Sequence, residues 1–161
     1  MRQIFLLRHG QAEPQHNMGD AHRSLTDKGK QQAKAAAMAM KKLNIKPEKV
    51  LYSPFVRASQ TADIVATAMR IQELEEDEDL VPAGYADVVG DKIFNSNDRH
   101  LLVVSHLPLL PHLAAHLLGA PVQLNLDVGS MMHLTILGGA GSAGSAALTG
   151  LWDNSVLATI R

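Results

Sequence analysis

Three short apolar runs recur along the chain, at residues 4–7, 49–52 and 101–104, and each leads into a segment compatible with a helix. Continuous apolar runs are typical of strands buried on both faces, and parallel strands need long crossover connections that are usually helical. The pattern therefore predicts an α/β fold in three layers, with a mostly parallel central sheet and helices on both of its faces.

The helices between these strands have recognisable ends. Thr26 is a candidate N-cap for the first helix, while Ser53 as N-cap with Pro54 at the first helical position predicts the start of the second. A third helix is expected to follow Pro108 and to end near Gly119, because glycine commonly terminates helices.

The last part of the chain has a different pattern. Residues 131–137 and 146–152 resemble strands, and the connecting segment 138–145 is rich in glycine and serine. We expect these two strands to close the sheet as a late β-hairpin. Since the chain has 161 residues and no internal repeat, we expect one domain over residues 1–161.

The composition narrows the classes of function. A formal net charge of -1 and the acidic run at residues 73–79, expected to form a solvated loop, argue against a nucleic-acid partner. The absence of cysteine excludes disulfides and thiolate metal sites and favours the reducing cytoplasm. No stretch approaches the roughly 20 apolar residues of a membrane helix, so a membrane partner is not expected.

Polar side chains follow the three predicted parallel strands. Arg8 and His9 follow the first, Arg57 lies shortly after the second, and Ser105 and His106 end the third. Open α/β sheets bind ligands at the carboxyl ends of their strands, so a single pocket can collect these groups. Arginine offers a planar fork of donors that matches phosphate oxygens. The pattern therefore indicates a phosphate site.

The sequence motifs of these segments resemble those of a known family. Leu-Leu-Arg-His-Gly (6–10), Leu-Thr-x-x-Gly (25–29), Ser-Pro-x-x-Arg-x-x-Gln-Thr-Ala (53–62) and Val-Ser-His (104–106) together resemble the histidine phosphatase superfamily. The further match Ser-His-Leu-Pro-Leu (105–109) and the short chain are similar to its SixA branch of phosphohistidine phosphatases.

The resemblance implies a catalytic set and a reaction. His9 becomes the phosphoryl acceptor, and Arg8, Arg57 and a protonated His106 become a phosphate pocket that works without a metal or cofactor. A neutral imidazole can attack phosphorus with one ring nitrogen while the other fixes its tautomer. We expect Gly10 to permit a tight turn there. The implied substrate is phosphohistidine on a phosphotransfer domain or phosphocarrier protein.

The leaving group bears on the substrate. Superfamily members that cleave phosphate esters usually carry a general acid after the second helix, and this chain offers only Glu78, Asp79 and Asp87 as candidates outside any matching motif. Imidazole is a much weaker base than an alkoxide and tolerates a missing acid. Only about 30 residues separate the second helix from the third strand, too few for a deep lid.

Other functions stay open at this point. A small-molecule phosphomonoesterase would use the same residues, and a non-catalytic phosphoprotein-binding module would keep the pocket without needing His9 as nucleophile. A zinc hydrolase is suggested by His112 and His116, four residues apart with His106 nearby, but no His-Glu-x-x-His arrangement is present. His22 and Arg23 are candidates for the edge of the phosphate pocket.

Overall fold

A computed structural model describes residues 1–138 and 142–160, and its core is a six-stranded sheet. The strands are β1 (Arg2–Arg8), β2 (Lys49–Tyr52), β3 (Glu73–Glu76), β4 (His100–Ser105), β5 (Met131–Ile136) and β6 (Ala146–Trp152). The helices are α1 (Asp27–Lys42), α2 (Val56–Met69), α3 (Ala86–Asn95), α4 (Leu109–Leu118) and α5 (Asn154–Leu157), with one-turn 3₁₀ helices at Asp20–His22 and Glu78–Leu80. None of the described helices combines the length and the apolar character needed to cross a membrane.

The strands lie in the order β3-β2-β4-β1-β5-β6. The pairs β3–β2, β2–β4 and β4–β1 are parallel, while β1–β5 and β5–β6 are antiparallel. The predicted α/β fold with a mostly parallel sheet and a late hairpin is confirmed. The predicted glycine-rich connection 138–145 includes residues 139–141, which lie outside the described residues.

Alternation along β1 separates the two sides of the core. Ile4 and Leu6 are fully buried on the side covered by α3 and α4, and Phe5 and Leu7 pack on the side of α1, α2 and α5. Because both faces of the sheet are covered, the strand is apolar without interruption. This continuous apolar run is the pattern by which the sequence indicated the strand. Leu6→Ala would cost about 2–5 kcal/mol of stability.

Three of the four predicted helix ends are confirmed, since α4 begins at Leu109, directly after Pro108. Thr26 caps α1 by accepting a hydrogen bond at Oγ1 from the Gly29 amide at 3.0 Å, and Gly119, with φ 71°, follows the last residue of α4. The predicted start of α2 at Ser53-Pro54 is wrong, because α2 begins at Val56. Ser53 Oγ instead accepts from the Phe55 amide at 3.2 Å and lies 2.7 Å from His106 Nε2, so Ser53 precedes the helix and does not cap it.

The acidic run is not the predicted loop. Its first four residues form β3, which pairs in parallel with β2 at the edge of the sheet and exposes all four side chains. Lys49 on β2 supports this strand through an ion pair with Glu75 at 2.6 Å. An edge strand buries little surface and does not need an apolar pattern, so the charged residues of β3 did not indicate a strand. The helix α3, which follows it, was also not predicted.

Candidate active site

The carboxyl ends of β1, β2 and β4 meet at one edge of the sheet. Arg8 pairs with Ser105 across β1 and β4, and Tyr52 pairs with Val104 across β2 and β4. The residues that follow these strands therefore open onto the same place, a cleft of about 390 Å³. Its walls are formed by Arg8, His9, Gln11, Ala12, Asp20, Arg23, Arg57, Pro82, His106, Leu107 and Val128.

The His9 ring is held in one tautomer. Its Nδ1 lies 2.7 Å from the Gly10 carbonyl oxygen, and since a carbonyl only accepts, Nδ1 carries the proton. Nε2 is then the nitrogen with a free lone pair, and the Nε–H of Arg57 points to it across 3.3 Å. Burial, reinforced by Arg57, Arg8 and Arg23, lowers the pKa of His9 to about 4 against the opposing Gly10 bond. The ring is therefore uncharged at neutral pH, and an uncharged imidazole is able to act as a nucleophile.

Arg57 is oriented by a carboxylate. Its Nη1 donates to the Asp20 carbonyl at 2.8 Å and its Nη2 to the Asp20 carboxylate at 3.1 Å, while Arg23 binds the same carboxylate at 2.7 Å. Partial burial raises the pKa of Asp20, but the hydrogen bonds from Arg23 and Arg57 outweigh it and bring the pKa below its ordinary value. Asp20 is therefore ionised and holds both guanidinium groups at the cleft.

His106 faces His9 across the cleft. The two ring centroids are 4.9 Å apart, and His106 Nε2 lies 2.7 Å from Ser53 Oγ. Burial first, then His9 and Arg57, lower the pKa of His106 to about 2, so the ring is neutral in this structure at pH 7. The protonated His106 expected from the sequence thus requires a bound anion whose charge offsets these effects.

Arg8 reaches the cleft from the end of β1. Its Nη1 donates to the Leu126 carbonyl at 2.8 Å, and its buried Nε has no hydrogen-bond partner among the described residues. Burial lowers the pKa of Arg8, with Asp127 opposing the shift. A buried guanidinium N–H without a partner is costly, and guanidinium groups are well suited to binding oxyanions.

Gly10 serves close packing and not the expected tight turn. Its backbone does not have a positive φ, but a Cβ there would lie 2.3 Å from the carbonyl oxygen of Gly29 on α1. In return, a Cβ on Gly29 would lie 2.0 Å from the Gln11 carbonyl oxygen. The two glycines therefore let α1 approach the segment that carries His9.

The structure brings Arg8, His9, Arg57 and His106 into the one cleft. The three carboxylates weighed as general acids do not line it: Asp79 and Glu78 face a separate groove beside α3, and Asp87 is exposed and bonds the Val88 amide. The suggested zinc ligands do not converge, and residues 1–138 and 142–160 contain no group of three or more His, Cys, Asp or Glu side chains that could hold a metal ion.

Asp20 was missed in the sequence, and Arg23 was only a candidate. Both belong to the 3₁₀ turn Asp20–His22 and the residue after it, within a polar segment that carries no periodic pattern. The spacing Asp-x-x-Arg, which permits an i,i+3 ion pair, is the one local signal that pointed to the pair. His22 does not line the cleft and lies against His16 instead.

The fold and the cleft define a class that comparison with known proteins identifies. The sequence profile of the histidine phosphatase superfamily (branch 1) matches residues 4–92, and the chain belongs to this superfamily. Among its relatives, the phosphohistidine phosphatase SixA of Escherichia coli K12 is 34% identical over 119 residues, covering 71% of this chain and 73% of that protein.

Two further comparisons agree. A SixA homolog of Haemophilus influenzae is 35% identical over 127 residues, covering 72% of this chain and 77% of its own. A structure of the protein histidine phosphatase SixA complexed with tungstate superposes with a TM-score of 0.84 at 27% identity, over 95% of this chain and 97% of that one. The resemblance to the SixA branch stated from the sequence is thereby confirmed.

Proposed function

We propose that the chain is a metal-independent phosphatase that hydrolyses phosphohistidine on proteins through a phospho-His9 intermediate. The observation that carries this is the His9 ring, whose Nδ1 proton is tied to the Gly10 carbonyl while the Nε2 lone pair faces the guanidinium of Arg57. The SixA relatives, named as phosphohistidine phosphatases, support the same substrate class.

The first step is phosphoryl transfer to His9. The Nε2 lone pair attacks phosphorus, the bond from phosphorus to the substrate imidazole breaks, and its electron pair stays on the departing ring. The arginines at positions 8, 23 and 57 surround the place where the equatorial oxygens carry charge, and these fixed cations stabilise the transition state.

The second step regenerates the enzyme. Water attacks the phosphorus of phospho-His9, the P–Nε2 bond breaks, and the electron pair returns to Nε2. Inorganic phosphate leaves, and the excess proton of the water passes to phosphate or solvent. Nδ1 keeps its proton throughout and donates it in a hydrogen bond to the Gly10 carbonyl oxygen. His9 therefore ends the cycle in the tautomer in which it began.

The charge state of Asp20 supports an imidazole leaving group. Asp20 is the one carboxylate among the described residues that line the cleft, and its ion pairs with Arg23 and Arg57 keep it ionised. An ionised carboxylate has no proton to give to a departing alkoxide. A phosphohistidine ring that carries a proton on its other nitrogen leaves as neutral imidazole and needs no such donor.

The surroundings of the cleft suit a protein substrate. Asp20 and Pro82 belong to the cleft wall, and each has a large exposed apolar side chain close to it in the sequence. Met18, two residues before Asp20, is 68% exposed, and Tyr85, three residues after Pro82, is 74% exposed. Large apolar side chains exposed on the segments that supply cleft residues favour a partner with an apolar surface. A phosphotransfer domain or phosphocarrier protein in a phosphorelay fits this description.

The test compares three substrates: a phosphohistidine-bearing phosphotransfer domain, a small P–N compound such as phosphoramidate, and glycerol phosphate. Phosphate release is measured for the wild type and for His9→Ala, with and without a chelator. His112→Ala, which changes an exposed histidine outside the cleft, serves as the control.

We expect the highest kcat/KM on the protein substrate, measurable turnover of the P–N compound, little turnover of glycerol phosphate, and no effect of the chelator. His9→Ala is expected to remove the activity. Equal or better turnover of glycerol phosphate would favour a small-molecule phosphomonoesterase, and binding of the phosphorylated protein without phosphate release would favour a binding module.

A further inference from the structure

Two consecutive peptide groups next to His9 are each held from both sides. In the His9–Gly10 peptide, the carbonyl accepts from the Gly129 amide at 2.9 Å and the N–H donates to Thr61 Oγ1 at 3.1 Å. In the next peptide, the Gly10 carbonyl accepts from His9 Nδ1 at 2.7 Å, and the Gln11 N–H donates to the side-chain oxygen of Gln32 at 2.8 Å.

We propose that Gln32 is a positioning residue for the nucleophile: by holding the Gln11 N–H, it orients the Gly10 carbonyl that fixes the tautomer of His9. The two bonds lie on opposite sides of one planar peptide group, so rotation of that plane moves both. The inference rests on the proposed function in so far as it assigns Nε2 of His9 to the attack.

Gln32 is well placed to hold this plane still. It lies in the second turn of α1, and its own carbonyl accepts a hydrogen bond from Asn154 Nδ2 at 3.1 Å. Its Cβ lies close to Gly129, where an added methyl group would be 3.1 Å from it. The helix, Asn154 and Gly129 therefore constrain the base of the side chain, while the Gln11 N–H holds its amide oxygen.

Polarisation acts in the same direction as orientation. A peptide whose N–H is hydrogen-bonded has a more negative carbonyl oxygen, so chains of such bonds strengthen one another. The Gln32 oxygen, the peptide and the His9 ring form a chain of this kind, ending at Nδ1. The resulting preference for a proton on Nδ1 leaves the Nε2 lone pair available for attack.

The arrangement predicts a specific kinetic effect. Gln32 is not part of the cleft wall, so its loss does not remove a contact to the substrate. A His9 ring that rotates, or that carries its proton on Nε2, still allows substrate to bind but does not attack phosphorus. The loss is therefore expected in kcat and not in KM.

The experiment uses Gln32→Met, which keeps the length of the side chain and removes its acceptor, and Gln32→Ala, a stronger helix former, as a second variant. Gln32→Glu restores an acceptor at the same place. The matched control is Gln31→Met, because Gln31 is the adjacent glutamine of α1, is exposed and makes no side-chain hydrogen bond to any described residue. Each full-length protein is labelled with ¹⁵N in its histidines.

In the wild type, Gln32→Glu and Gln31→Met, we expect the ¹⁵N shifts of His9 to show a protonated Nδ1 and an unprotonated Nε2. In Gln32→Met and Gln32→Ala we expect mixed tautomers and a kcat lower by about 10- to 100-fold with KM changed less than about twofold. Wild-type shifts and kcat in Gln32→Met or Gln32→Ala would overturn the proposal, as would an equal loss in Gln31→Met.

The two failures can be told apart. If the wild type releases no phosphate from any of the substrates, the proposed function fails, while the nitrogen shifts still decide whether Gln32 sets the tautomer of His9. If the wild type is active and the shifts do not respond to Gln32, only the positioning role fails.

Discussion

The guanidinium of Arg57 donates its Nε–H to His9 Nε2 across 3.3 Å. The group that is proposed to neutralise phosphate therefore lies on the side of the ring to which the Nε2 lone pair points. The same side chain uses its two terminal nitrogens to hold Asp20. One arginine thus links His9, at the end of β1, to the 3₁₀ turn on the other side of the cleft. Its planar fork is required for both contacts at once.

Replacement of Arg57 by lysine is expected to lower kcat by about 10- to 100-fold, although the positive charge is kept. A lysine ammonium is a point charge on a flexible stem and does not reach His9 and Asp20 in one geometry. Arg70→Lys, the same change in an exposed residue at the other end of α2, is the control for steady-state kinetics. Activity of Arg57→Lys equal to that of the wild type would contradict this role of the fork.

Stability is expected to fall as the pH is lowered below about 6.5, in part because of His106. The ring has a pKa of about 2 in the folded chain and an ordinary value of 6.5, so the unfolded chain binds the proton first. The stabilisation is complete above pH 6.5 and is lost by about 1.4 kcal/mol per pH unit below it. Urea unfolding of wild type and His106→Gln at pH 7, 6 and 5 measures the difference. Parallel pH dependences in the two proteins would refute the assignment.

Replacement of Asp20 by asparagine is expected to tighten inhibition by inorganic phosphate by about tenfold. The carboxylate lies 3.1 Å from Arg57 Nη2 and repels an anion that approaches the same guanidinium. Inhibition constants for phosphate in Asp20→Asn and the wild type give the comparison. Asp63→Asn removes the same charge from an exposed position on α2, away from the cleft wall. If both variants shift the constant equally, net charge and not local repulsion is responsible.

Replacement of Gly10 by alanine is expected to cost about 1–3 kcal/mol or more, because the new methyl group would lie 2.3 Å from a backbone oxygen of Gly29. Backbone cannot move aside as a flexible side chain does, so α1 must shift away from the segment after His9. Thermal and urea unfolding measure the loss, with Lys30→Ala on the exposed side of α1 as the control. A fully stable Gly10→Ala would show that the close approach of the two glycines is not required.

The sequence predicted those parts of the fold and site that depend on strands buried on both faces. Arg8 ends such a strand, His9 and His106 directly follow one, and Arg57 lies in the first turn of α2, so parallel pairing alone implied their convergence. The edge strand β3 had no such pattern, because its four side chains are exposed.

Asp20 and Gln32 could not be predicted from the sequence for another reason. Their importance depends on side-chain hydrogen bonds to groups that are 37 and 21 residues away in the chain. Local patterns record burial and backbone propensity, and they do not record which distant donor a carboxylate or an amide oxygen meets.

β1 lies between β4 and β5 in the sheet, so one wall of the cleft is built on a central strand and another on a surface turn. His9, the proposed nucleophile, follows a strand that is hydrogen-bonded on both sides, and central strands of this kind are typically among the last parts of a fold to open. Asp20 and Arg23 belong instead to a surface turn that buries no residue of its own. Substitutions in this turn would therefore disturb the packing of the sheet less than substitutions at the end of β1 would.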